Sequence, residues 1–139
     1  MRIFTSAVLA CLAATTVFGG AASAQEAAIE TATLGKAEVK LHAQPFLTAE
    51  EQATLRLVLS NEQALQVFIA PGGSVAKGYA AMAVNPDEGF IREGQPAKSA
   101  SALAGFASAE EASTAARAAC QAAAKSKAPC VLVLEVKAS

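Results

Sequence analysis

Cys120 and Cys130 constrain this chain most, because of what precedes them. Residues 1–24 read as an export leader: Arg2 gives a positive start, Ile3 to Phe18 is an apolar run without charge, and Ala22-Ser23-Ala24 is the small-x-small pattern that signal peptidase cuts. Cleavage after Ala24 starts the chain at Gln25 and removes Cys11, leaving two thiols in a compartment where disulfides form and persist. We therefore expect a periplasmic or secreted protein in which Cys120 and Cys130 form a structural disulfide. Two other readings of the leader are open. A transmembrane anchor needs roughly 20 apolar residues, and this run is broken by Thr15, Thr16, Gly19 and Gly20 with no basic flank after it. A lipid anchor on Cys11 would use the faintly lipobox-like Val8-Leu9-Ala10-Cys11 and discard most of the apolar run.

The 115 residues that remain of the 139 suffice for one small domain with one core. Ten basic and twelve acidic side chains are left, with no block of either sign, so neither nucleic acid nor stable membrane insertion is expected of the mature chain. With no Trp and one Tyr, the core must come from Leu, Val, Ala and Phe, and an aromatic cleft for sugars or bases is not expected.

Along the chain, residues 25–35 are polar and aperiodic and read as a flexible N-terminal arm; residues 36–139 read as one α+β domain. Ala37, Val39, Leu41 and Ala43 alternate with Glu38, Lys40, His42 and Gln44, which predicts a half-buried strand ended by Pro45. Thr48-Ala49-Glu50-Glu51 is a capping box before a helix that buries Leu55, Val58 and Leu59. Residues 64–70 are ambiguous: Val67, Phe68 and Ile69 favour a strand, to which we lean, whereas Ser60-x-x-Gln63 suits a second helix. Pro71-Gly72-Gly73-Ser74 is a loop, Tyr79 to Val84 a buried strand, and Asn85-Pro86-Asp87-Glu88-Gly89 a turn implying a hairpin with a return at Phe90-Ile91. Ser108-Ala109-Glu110-Glu111 caps a long helix to about Lys125, and Cys130 to Val136 is a final strand of the fully buried kind. The expected fold is thus an antiparallel hairpin, a long helix and a final buried strand, with one disulfide.

The order Gly78-Tyr79-Ala80-Ala81-Met82-Ala83-Val84-Asn85-Pro86, then Ser108-Ala109-Glu110-Glu111-Ala112 leading to Cys120, then Cys130-Val131, resembles an uncharacterised family of small secreted bacterial proteins. The turn at 85–89 is similar to an alphaproteobacterial-type branch whose members are sometimes labelled 5-aminolevulinate synthase. That chemistry requires a Schiff-base lysine in a large pyridoxal-phosphate cleft, which 115 residues without a phosphate-binding loop do not supply. The resemblance implies a fold and a compartment only; from the length and the missing loop no cofactor is expected.

Few residues suggest chemistry. His42 stands alone, on the polar side of its strand with no acid placed in the sequence to orient it, so no catalytic residue is assigned. One His and two paired Cys do not make a metal site. Nine residues separate Cys120 from Cys130, unlike the Cys-x-x-Cys of thiol oxidoreductases. Capping accounts for both Glu pairs. The segment 90–103, carrying Arg92, Glu93 and Lys98 among Gly, Pro and Ser, is the candidate recognition loop. Three functions follow: a non-catalytic envelope protein binding a protein or small ligand, which leads; a small secreted hydrolase, if His42 proves to have an acid beside it; and a thiol-disulfide protein.

Overall fold

Strands and helices alternate along the chain and build one antiparallel sheet with helices on both faces. The computed structural model describes residues 28–69 and 77–139; the leader, residues 25–27 of the expected arm and the Pro71-Gly72-Gly73-Ser74 loop lie outside them. In order the elements are β1 (Ala28–Leu34), β2 (Ala37–Ala43), α1 (Ala49–Ser60), α2 (Glu62–Ile69), β3 (Gly78–Val84), β4 (Ile91–Arg92), β5 (Gln95–Pro96), β6 (Ser101–Phe106), α3 (Ala109–Ala123) and β7 (Val131–Ala138). Five strands form the sheet in the order β1-β2-β7-β3-β6, all antiparallel, and β4 and β5 make a separate two-stranded ribbon. The expected small α+β domain with a buried last strand is what forms.

β7 earns its apolar composition by lying at the centre. Leu134 and Val136 pack with Val39, Leu41, Leu55, Val58, Leu65 and Met82 under α1 and α2. On the other face Ala112, Ala116 and Cys120, spaced by four along α3, meet Ala81, Ala83 and Leu132. A register shift where Met82 pairs with Leu134 but Ala83 with Leu132 leaves Val133 as an extra residue, a bulge that lets β7 serve both layers. Small side chains on both surfaces bring α3 close to the sheet. At the far end of the helix Cys120 and Cys130 are bonded, with Cα atoms 6.2 Å apart, and the Cys130 amide donates to Gln121 Oε1.

Three expectations are corrected. The described part of the arm, 28–34, is not flexible but a full strand, because Gly35 takes a left-handed φ of 59° in a two-residue turn and folds β1 back on β2. Residues 62–69 are helical, not a strand: the Asn61 side chain accepts from the amides of Gln63 and Ala64 and starts α2 directly after α1. The 85–89 turn does not lead into a return strand at Phe90-Ile91, since the strand that pairs with β3 on that side is β6, and 90–96 forms the separate ribbon.

Closing a loop of sequence separation 10 is worth roughly 3 kcal/mol on the chain-entropy account. Denaturant unfolding of the Cys120→Ala, Cys130→Ala double variant is expected to show a loss of about 2 to 4 kcal/mol with the sheet retained in far-ultraviolet circular dichroism.

Candidate functional site

The two faces of the sheet are covered unequally. α3 packs on β3 and β6 and more lightly on β7, so the β2–β7 half of that face carries polar residues. Period-two alternation puts Glu38, Lys40 and His42 of β2 there, and the pairing sets Glu38 across from Lys137 and Lys40 across from Glu135. Opposite charges face each other at both pairs, which favours this register. Lys40 Nζ lies 3.8 Å from Glu38 Oε1 with both side chains half exposed, a solvated contact. Glu38, Lys40, Tyr79, Ala109, Glu135 and Lys137 line a cleft between this surface and the start of α3.

At one end of the surface lies a partly buried polar group. His42 Nε2 and Glu135 Oε2 are 2.7 Å apart, with side chains only 19% and 27% exposed. Ser113 of α3 donates from Oγ to Glu135 Oε1 at 3.4 Å. The expectation that no acid orients His42 is therefore corrected: Glu135 does, from 93 positions along the chain. The order of contacts is nevertheless not that of a hydrolytic triad, because the serine bonds the carboxylate rather than the imidazole. The carboxylate joins β2, β7 and α3, and among the described residues no hydroxyl hydrogen-bonds His42.

A second polar centre is wholly internal. Glu51, with no exposed surface, accepts from the Thr48 amide at Oε1 as the reciprocal half of the capping box, and at Oε2 from the amides of Phe90 (2.6 Å) and Ile91 (3.1 Å). Arg92 Nε stands 3.2 Å from Oε1, at ion-pair distance but without hydrogen-bond alignment, while Nη2 donates to the Phe46 carbonyl. Burial pushes the Glu51 carboxyl up; the amides of Phe90, Thr48 and Ile91, with the Arg92 guanidinium, push it down further, so it is held below its ordinary value. Gly89, at φ 64°, is required here, since a Cβ would come within 2.5 Å of Glu51 Oε2 and 2.3 Å of Arg92 Nε.

Of the candidate recognition loop, then, Arg92 is turned inward to this carboxylate. Glu93 and Lys98 are exposed, Glu93 at φ 54° in the turn between β4 and β5. Beneath the ribbon Met82, Phe90, Ile91, Pro96, Ala97 and Ala102 line a small apolar cleft. Cys120 and Cys130 are 0% and 6% exposed, so an attacking thiolate has little access to the bond. Among the described residues no three His, Cys, Asp or Glu side chains converge as a metal site. Comparison with protein families, curated proteins and solved structures finds no match to this chain.

Glu51 links stability to pH with a definite sign. A carboxyl whose folded pKa is depressed stabilises above its unfolded value of 4.5, and that contribution is lost as pH falls through the lower folded value. Replacing it strands buried amides and Arg92, so Glu51→Ala is expected to cost at least about 3 kcal/mol at pH 7. Unfolding measured from pH 7 to pH 3 should show a weaker acid dependence in this variant than in the wild type.

Proposed function

We propose that this chain is an exported, non-catalytic binding module of the cell envelope, acting on a protein or small ligand. The leader pattern of residues 1–24, the Cys120–Cys130 bond and the resemblance of segments between Gly78 and Val131 to small secreted bacterial proteins support the compartment. Among the described residues no helix is long and apolar enough to cross a membrane. The observation that carries the binding role is the half-covered polar face. Its charges are balanced in sign, Tyr79 and Ala109 give the cleft an apolar wall, and Glu135 is fixed at its margin by His42 and Ser113. Such a surface offers oriented donors and acceptors.

A second reading, a small secreted hydrolase, is favoured by one contact, the 2.7 Å bond between His42 and Glu135. It would use His42 Nδ1 as a general base toward water.

Complementation of a deletion strain separates the two. The double charge reversal Lys40→Glu, Lys137→Glu is expected to abolish rescue, while a folded His42→Ala protein restores it. Rescue by the charge-reversed protein, or failure of folded His42→Ala, would move the assignment to the enzyme reading.

A further inference from the structure

The sheet has two outer strands, and they are not alike. β6 is interrupted against β3 by a register shift and has Gly105 at φ 90°, the sort of irregularity that blunts an edge. β1 pairs with β2 without a shift over all seven residues from Ala28 to Leu34. It contains no Pro, no Lys and no bulge, the usual devices against edge-to-edge pairing.

The direction of its free backbone groups follows from the hairpin. The two-residue turn at Gly35-Lys36 closes on the Leu34–Ala37 pair, whose backbone groups bond across the turn. Bonding direction alternates along an antiparallel strand, so Leu34, Ala32, Glu30 and Ala28 point to β2, and Thr33, Thr31 and Ile29 point outward. The far side of β2 agrees: the Lys36 carbonyl accepts from the Ser139 amide, so even-numbered residues of β2 face β7 and odd-numbered ones face β1. The outward residues Ile29, Thr31 and Thr33 are all β-branched and all exposed, Ile29 by 60%. Glu30, the one charged residue of β1, projects to the other face, where Arg56 neutralises it (Nη2 to Oε1 3.2 Å).

We infer that β1 is a dimerisation edge, on which a second copy of this chain pairs its own β1 antiparallel about a two-fold axis at Thr31. The charge pattern selects both the occupant and the register. Centring on Thr31 sets Ile29 opposite Thr33 of the other copy and Thr31 opposite itself, all outward-bonding residues, with Glu30 opposite Ala32. Centring on Glu30 would bring two carboxylates face to face, and centring on Ala32 would spend Ile29 on the Gly35 turn. The strand is thus complementary to itself in one register that uses its full length. The dimer is a continuous ten-stranded sheet in which the polar faces of both copies lie on either side of the joined edges.

The test uses the chain expressed from its full sequence in an exporting host and purified as recovered. Sedimentation velocity over a wide concentration range is expected to show a monomer–dimer equilibrium, and Thr31→Pro, which deletes an outward N–H, to give monomer with unchanged circular dichroism. Should Thr31→Pro fail to fold, cysteine crosslinking decides. A hydrogen-bonded antiparallel pair has Cα atoms about 5.5 Å apart, within the roughly 4.4 to 6.8 Å of a disulfide. Thr31→Cys is therefore expected to oxidise to a covalent dimer, and Thr33→Cys, whose counterpart is Ile29, to remain largely monomeric. A wild type that stays monomeric at all concentrations, or equal crosslinking of the two variants, overturns the proposal.

Discussion

The whole architecture depends on β7 pairing on both sides. It is the last element of the chain, yet it lies between β2, from the first third, and β3. Until it is in place the β1–β2 hairpin has no connection to the remainder of the sheet, and α3 has only β3 and β6 beneath it. Its contacts are long-range, so the chain must close large loops before the central strand contributes. The buried disulfide shortens part of that search by fixing the start of β7 to the end of α3.

From this placement the polar face follows. β7 brings Glu135 and Lys137 against Lys40 and Glu38 of β2, while α3, lean in side chain, stays over β3 and β6. The His42–Glu135–Ser113 group is the joint where three elements meet. On the opposite face Glu51 performs the equivalent service for the irregular stretch after β3: its carboxylate accepts from the amides of Phe90 and Ile91, and the Asp87-Glu88 side of the same turn accepts from the amides of Lys125 and Ser126 through Glu88.

Elements with strong local signals were legible in the sequence. Alternation from Ala37 to Ala43, the caps at Thr48 and Ser108 and the apolar run after Cys130 each report a local preference that the fold keeps. β1 is hard to see in the sequence because its signal is weak: Ile29, Thr31 and Thr33 alternate, but with Ala and Glu rather than a clear apolar face, and what makes it a strand lies in Gly35 and the strand beyond it. At 64–70 Val67 and Ile69 favour a strand and Ser60-x-x-Gln63 a helix; the helix forms, and the residue that caps it is Asn61 rather than Ser60. The site was legible only in part. His42 stood out by being alone, but its partner Glu135 is joined to it by sheet order, and Glu51 looked like a cap and nothing more because its second oxygen bonds amides forty residues away.

If β7 is the strand on which the domain closes, its amides should be the slowest to exchange with solvent. Native-state hydrogen exchange resolved by residue measures this directly. Leu132 to Val136 are expected to exchange only through global unfolding, with the same free energy and denaturant dependence as the core amides of β2 and β3. Exchange of β7 through a smaller opening, with β2 or β3 still protected, would contradict the account.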